Sequence, residues 1–123
     1  MCNQPTDFTI TIGEATIKGV KHTVIELAPQ SELDMGTFQR FQDTVMGWFK
    51  RGSQNIILDL TGVVYMDGLG LGSLVRIRRQ INEANGTLTL WICDQSIIKL
   101  IEVTALRPLF KIYRTKEDME KSS

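Results

Sequence analysis

Apolar residues are concentrated in the middle of the chain, in residues 55–74. Residues 56–60 form a nearly continuous apolar run with β-branched members, which is typical of a strand covered on both faces. Gly62 interrupts this pattern, and residues 63–66 form a second apolar run. The carboxylate of Asp67, which follows, can accept hydrogen bonds from the first N–H groups of a helix and oppose the positive end of its dipole. The pattern predicts a buried strand, an acidic turn and a helix, and we expect function to lie at the turn.

Helical spacing of apolar residues predicts helices on both sides of this turn. The first begins at Asp34 and stops at Gly52, with an apolar stripe of Phe38, Phe41, Val45 and Phe49 that Met46 and Trp48 widen. The second follows Asp67, carries Leu71, Leu74, Val75 and Ile81 on one face, and ends near Asn85-Gly86, a good left-handed cap pair. A third helix is predicted over Ile97 to Val103 and a marginal terminal helix over Lys116 to Lys121.

β-branched residues in partial alternation predict strands at the start of the chain and after the second helix. The early strands are Phe8 to Ile12, Ala15 to Val20 and Thr23 to Leu27, separated by Gly13-Glu14 and Lys21-His22 and ended by Pro29, which predicts a meander or hairpin. The later strands are Thr87 to Ile92 and Phe110 to Tyr113. Strands that alternate with helices indicate an α/β fold with a mostly parallel sheet. The 123 residues are about one domain in length, so we expect a single domain over residues 1–123, frayed at 1–6 and 118–123.

Four short segments resemble the STAS family, the anti-sigma factor antagonists and their relatives. Asp59-Leu60 fits the family's strand end, Asp67 its motif aspartate, Gly70-Leu71-Gly72 with Leu74 the start of its helix, and Leu33-Asp34 its Leu-Asp before an earlier helix. The resemblance implies a STAS-like single domain, with a mostly parallel mixed β-sheet, an N-terminal β hairpin or meander, and three to four helices packed chiefly on one face.

The same resemblance implies regulated contact between proteins rather than catalysis. The expected partner is a switch-protein kinase, an anti-sigma factor or a related regulator in a bacterium, and docking on it frees a sigma factor. The expected partner surface comprises Asp67, Gly68, Leu69, Gly70, Leu71, Ser73 and Arg76. A helix N-terminus with a small-residue loop gives a partner close access to backbone donors.

The sequence departs from the family at the position of the phosphorylated serine, which falls on Gly68. The next hydroxyl position falls on Leu69, so neither residue can carry a phosphate. Ser73 is a fallback, but it lies about one turn into the predicted helix, where a kinase reaches a hydroxyl with difficulty. We therefore expect a member that binds constitutively, is controlled by its partner's state, or serves as a scaffold subunit.

Charge and hydropathy exclude several classes of function. Fourteen basic and fourteen acidic side chains give a formal charge of zero, so no global field favours nucleic acid or an anionic membrane. No apolar run approaches the ~18 residues of a spanning helix, and the first residues do not resemble a signal peptide. We expect a cytoplasmic protein that binds no nucleic acid and does not insert into a membrane. The sequence leaves the oligomeric state open.

The sequence gives little support for an enzymatic activity or a bound cofactor. The glycines of residues 68–72 invite comparison with a dinucleotide-binding loop, but the third glycine follows the second by two residues instead of three. Asp59 and Asp67 could form a general acid and base pair, yet no histidine, nucleophilic cysteine or ligand cluster accompanies them. Cys2 and Cys93 suggest neither a disulfide framework nor a metal site, and Cys93 is expected in the core. We expect no enzyme activity, cofactor or metal.

The remaining candidate residues have structural or solvent roles. We expect His22 to be solvated, and Arg76, Arg78 and Arg79 to form a solvated helix face, although these arginines could also contact an acidic partner. Trp48 and Trp91 lie within apolar patterns and are predicted to pack in the core. Two other functions stay open: an accessory subunit of a membrane transporter, and a sensor of a small ligand or nucleotide.

Overall fold

The structure, a computed structural model, describes residues 8–121 of the chain. The expected fraying of residues 1–6, the position of Cys2 and the last two residues lie outside this range. In chain order the elements are β1 (Ile10–Ile17), β2 (Val20–Leu27), β3 (Ser31–Leu33), α1 (Phe38–Lys50), β4 (Asn55–Asp59), β5 (Val63–Met66), α2 (Gly68–Glu83), β6 (Thr87–Trp91), α3 (Gln95–Val103), a short 3₁₀ turn (Arg107–Leu109), β7 (Lys111–Tyr113) and α4 (Lys116–Lys121).

Five strands form the main sheet in the order β1-β2-β4-β6-β7. β1 and β2 are antiparallel, and the other three neighbouring pairs are parallel. β3 and β5 form a separate parallel pair in which Leu33 lies beside Met66. The predicted α/β fold with a mostly parallel mixed sheet and an N-terminal hairpin is confirmed.

The hairpin turns at a different place from the one predicted. β1 runs without a break through Gly13-Glu14, and the chain reverses at Lys18 and Gly19, whose φ angles are 54° and 81°. Two positive φ angles in a two-residue turn match the right-handed twist of hairpin strands, and glycine adopts such an angle without strain. The breaks predicted at Gly13-Glu14 and Lys21-His22 are therefore wrong, because turn geometry rather than local polarity decides where the chain reverses.

α1 begins at Phe38 instead of Asp34, and the unpredicted strand β3 precedes it. The carboxylate of Asp34 accepts a hydrogen bond from Gly36 N at 3.0 Å, and its carbonyl accepts one from Phe38 N at 2.8 Å. The Thr37 hydroxyl accepts from Asp34 N at 3.0 Å and donates to the Glu32 carbonyl at 2.6 Å. These bonds hold a turn in the place where the apolar stripe alone suggested helix.

The main core lies on one face of the sheet, beneath α1, α2 and α3. Its helical side chains include Phe41 and Val45 of α1, Leu74, Ile77 and Ile81 of α2, and Ile97 and Ile101 of α3. A smaller cluster of Ile17, Ile57 and Met119 lies apart from it, with Val24, Trp91 and Tyr113 packed around it. The predicted packing of helices chiefly on one face is confirmed.

The terminal helix predicted over Lys116 to Lys121 is present as α4, whose Met119 is 4% exposed, and the fraying expected at 118–123 stays a prediction. One expectation for an individual residue needs correction. Cys93, expected in the core, is exposed because β6 has already ended at Trp91. Trp48 and Trp91 are half-buried and pack against the two core clusters, as predicted.

Two adjacent residues of β4 test which face of the sheet is better packed. Leu58 and Ile57 are 0% and 2% exposed, but they belong to the main core and the smaller cluster respectively. We expect Leu58→Ala to cost about 3 to 4 kcal/mol and Ile57→Ala about 2 kcal/mol of unfolding free energy, because the cost rises with the cavity that remains. The short α4 can move to fill part of the cavity left at Ile57. Leu58 lies in the main core beneath α1, α2 and α3, where the packed helices cannot move as easily. Urea denaturation of both variants measures the difference, and a larger loss for Ile57→Ala would contradict this packing.

A second prediction concerns the cap of α3 and its dependence on pH. Asp94 Oδ1 accepts hydrogen bonds from the Ser96 hydroxyl, from Ile97 N at 3.2 Å and from Ser96 N at 2.8 Å. The Ser96 hydroxyl contributes most to holding the pKa of Asp94 below its ordinary value of 3.8. A lowered folded-state pKa means that the stabilisation is complete above the unfolded pKa and is lost as the pH falls through the folded pKa. We expect Asp94→Ala to cost about 1 kcal/mol at neutral pH, and chemical denaturation at several pH values should show the cost shrinking below about pH 4. A cost independent of pH would contradict this role.

Candidate functional site

Asp67 occupies the N-cap of α2, as predicted, and also joins two turns. Its Oδ1 accepts hydrogen bonds from Leu69 N and Gly70 N, both at 2.9 Å. Its Oδ2 accepts one from Met35 N, at 3.0 Å, in the turn between β3 and α1. One carboxylate thus satisfies three backbone donors and holds the β5–α2 turn against the β3–α1 turn.

The start of α2 lies in close contact with the end of β3. Asp67 N donates to the Leu33 carbonyl at 3.2 Å. A Cβ atom built on Gly70 would lie 2.1 Å from the same oxygen, far inside contact distance. The absence of a side chain at Gly70 is therefore what allows α2 to approach β3 closely.

Exposed apolar side chains flank this rigid junction. Met35 is 73% exposed and Leu69 is 41% exposed, and the backbone N–H of each binds one oxygen of Asp67. Gly68 lies between Asp67 and Leu69 and is exposed, with open space where a side chain would be. We call the group formed by the exposed residues Met35, Gly68 and Leu69 and the half-buried Asp67 the turn surface.

The predicted site residues divide into exposed and buried sets. Gly68, Leu69 and Arg76 are exposed and Asp67 is half-buried. Gly70, Leu71 and Ser73 are buried, and the Ser73 hydroxyl donates to the Gly70 carbonyl at 2.6 Å. These three residues shape the surface from beneath and offer a partner little direct contact. Met35 was not among the predicted residues, and its only sequence signal was its position directly after Leu33-Asp34.

Both acidic residues take part in local hydrogen bonds. Asp59 is 7% exposed, and its Oδ1 accepts hydrogen bonds from Thr61 N at 3.1 Å and from the Thr61 hydroxyl at 2.7 Å. Both oxygens of Asp67 accept hydrogen bonds from backbone N–H groups. Within residues 8–121, no group of three or more His, Cys, Asp or Glu side chains is arranged to hold a metal ion.

The glycine-rich loop offers few free donors to a phosphate. Leu69 N and Gly70 N, which a bound phosphate would need, already donate to Asp67. Among the described helices, none has the length and hydropathy needed to cross a bilayer.

The other polar candidates lie outside the turn surface. His22, expected to be solvated, lies near the start of β2, where it is half-buried and its Nδ1 is 2.9 Å from the Val20 carbonyl oxygen. Arg76 and Arg79 are exposed, whereas Arg78 is half-buried.

Comparisons with known proteins point to one family. The profile of the STAS domain matches residues 15–119. An anti-sigma-B factor antagonist of Staphylococcus aureus is 28% identical over 87 residues, which cover 71% of this chain and 81% of that protein.

Two solved structures share the fold. An anti-sigma factor antagonist from Mycobacterium paratuberculosis has a TM-score of 0.75 and 18% identity, covering 94% of this chain and 95% of the other. The Bacillus cell fate determinant SpoIIAA in its phosphorylated form has a TM-score of 0.62 and 17% identity, covering 89% and 95%. Since the family profile spans nearly the whole chain and the architecture agrees, the chain belongs to the STAS domain family.

Proposed function

We propose that this protein is a non-enzymatic regulator of the anti-sigma factor antagonist type, which acts in the cytoplasm by docking on an anti-sigma factor or switch-protein kinase through its turn surface. The observation that carries the proposal is the pair of exposed apolar side chains, Met35 and Leu69, on either side of the Asp67 carboxylate. The names of the curated relatives support the same class of function.

The turn surface has the properties of a contact site. Asp67 uses both of its oxygens to fix the two turns, so the surface needs little ordering when a partner binds. Met35 and Leu69 supply apolar area that a partner can desolvate at low cost. Gly68 leaves space for close approach of another backbone.

Regulation of this surface differs from a switch based on a phosphorylated serine. A phosphate adds nearly two negative charges to an interface, which is enough to release a partner. In this chain Gly68 and Leu69 offer no hydroxyl where the family pattern has one. Docking is therefore constitutive or controlled by the state of the partner.

In protein isolated from its native host, we expect the turn to carry no phosphate. Ser73 is 0% exposed, and the hydroxyls of Ser73 and Thr61 are both engaged in hydrogen bonds. A kinase needs access to the target hydroxyl, but Ser73 is buried within α2, and the Thr61 hydroxyl donates to Asp59. Phosphopeptide mapping should find residues 59–76 unmodified, and a stoichiometric phosphate on Ser73 or Thr61 would contradict the prediction.

The proposed function is tested by affinity capture from the host with three baits. The wild-type chain should retain an anti-sigma factor or switch-protein kinase. Leu69→Asp should lose it, because the new charge would be desolvated in the interface. Val103→Asp is the matched control, since Val103 is 70% exposed but lies at the end of α3.

Three results would overturn the proposal. One is retention of the partner by Leu69→Asp. Another is capture of a transporter ATPase or permease in its place, which would favour the accessory-subunit alternative. The third is saturable binding of a purine nucleotide in calorimetry that displaces no protein partner, which would favour a sensor.

A further inference from the structure

The sheet face opposite the main core has only a thin cover in the described part of the chain. The six-residue α4 lies over it and buries one side chain, Met119. Ile17 and Ile57 lie beneath Met119 and are 7% and 2% exposed. A single flexible thioether side chain therefore separates much of this face from solvent.

Two cavities lie on either side of Met119. One has a volume of about 250 Å³ and the other about 170 Å³, and both are bordered by Ile17, Ile57 and Met119. Ligand pockets usually have volumes of roughly 300 to 1,000 Å³, so neither cavity alone is typical. A rotamer change of Met119 would join them into one slot, because this side chain lies between them.

The two ends of the slot differ in chemistry. The smaller cavity is mainly apolar, bordered by Ala15, Val24 and the ring of Trp91 in addition to the shared residues, and Lys116 of α4 is its one charged border residue. Trp91 is held in place by its indole N–H, which donates to the Arg114 carbonyl at 3.1 Å. The sheet face and this aromatic ring form walls that suit a flat apolar group.

The larger cavity is bordered by both apolar and polar residues, and its charged groups are cationic. Its polar border consists of Lys18, His22, Asn55, Thr87, Thr89 and Lys111, together with Tyr113, and includes no acidic residue. Neither Lys18 nor Lys111 forms an ion pair within residues 8–121, where the one such pair joins Lys21 to Glu14. The two lysines lie at opposite edges of the sheet, since Lys18 follows β1 and Lys111 begins β7, so one carboxylate can contact only one of them. The unpaired ammonium group of Lys111, beside Thr89 of the neighbouring strand, is complementary to an anion.

We propose that this slot binds a small aromatic monocarboxylate, with the ring beneath α4 against Ile57 and Trp91 and the carboxylate beside Lys111. Met119 occupies the place of the ring when no ligand is bound and moves aside on binding. The site lies across the face of the main sheet opposite the main core, whereas the turn surface lies at the carboxyl ends of β3 and β5. The proposal is independent of the partner docking proposed above.

The test uses the full chain labelled with ¹⁵N and 2-naphthoate as the probe. The chain has two tryptophans, so its spectrum contains two indole N–H signals, which Trp48→Phe assigns. Titration to about 5 mM should shift the Trp91 signal saturably and leave the Trp48 signal in place, because Trp48 packs against the main core. The neutral analogue 2-naphthylmethanol should bind about tenfold more weakly, since it lacks the negative charge that Lys111 attracts.

Two variants change residues of the slot, and a third is a control outside it. Met119→Ala removes the side chain that competes with the ring and should raise the affinity for 2-naphthoate severalfold. Lys111→Gln should lower it by about threefold to tenfold. Lys99→Gln, an exposed lysine on α3, is the matched control and should leave it unchanged.

Each of four results would overturn the proposal. The first is the absence of a saturable shift at Trp91, and the second is an equal shift of both indole signals, which indicates non-specific binding. The third is equal affinity for the neutral alcohol. The fourth is an affinity that Met119→Ala leaves unchanged, because the displaced side chain would then not be Met119.

Discussion

Gly70→Ala is expected to destabilise the protein by about 3 kcal/mol or more, beyond the cost of most single overpacking substitutions. The new methyl group would lie 2.1 Å from the Leu33 carbonyl oxygen and 2.8 Å from the Leu33 carbonyl carbon. These are backbone atoms of a strand paired with β5, so they cannot move aside as a flexible side chain would. α2 must shift instead, and the shift strains the hydrogen bond from Met35 N to Asp67. Urea denaturation measures the loss.

Gly72→Ala is the matched control in the same helix. A Cβ atom on Gly72 meets nothing within 4 Å. Because alanine is a better helix former than glycine, this variant should be equal to the wild type or more stable by about 0.5 to 1 kcal/mol. If the two variants lost equal stability, the close approach of α2 to Leu33 would not be the reason for glycine at position 70.

The sequence predicted the elements whose residues show a strong period. The apolar stripes of α1 and α2 and the apolar run of β4 each identify one element, because burial of a whole face imposes the spacing. β3 was missed, since three residues are too few to show a period. The turn at Lys18-Gly19 was missed because both of its residues have positive φ angles, but only one of them is the glycine that would indicate such an angle in the sequence.

The candidate site was predictable only where its chemistry is local. The capping role of Asp67 follows from its position before a helix, and the structure places its carboxylate there. Its bond to Met35 joins residues 32 positions apart, and no local pattern indicates it. The need for glycine at position 70 depends on β3, so missing that strand also hid the reason for this residue. The burial of Leu71 and Ser73 likewise depends on how α2 packs.

Gly68→Asp is expected to abolish docking while the fold stays intact. Gly68 is the first residue of α2, its φ is not positive, and a Cβ atom there meets nothing within 4 Å. A carboxylate in the first turn gains about 0.3 to 1 kcal/mol from the helix dipole, which offsets part of its repulsion from Asp67. Within an interface the same charge would be desolvated without a partner, and the affinity should fall by at least about 100-fold.

Gly47→Asp supplies the matched control for this charge. Gly47 is exposed and has open space around it, and it lies about two and a half turns from the start of α1. Thermal unfolding of both variants should show midpoints close to that of the wild type. A strongly lowered midpoint for Gly68→Asp alone would mean that the substitution acts through the fold.

The affinity of the captured partner for the wild type, Gly68→Asp and Gly47→Asp, measured by titration calorimetry, tests most directly whether the turn surface is the docking site. We predict that Gly47→Asp binds as the wild type does and that Gly68→Asp loses at least about 100-fold in affinity. Unchanged affinity of a well-folded Gly68→Asp variant would place the docking site elsewhere on the protein.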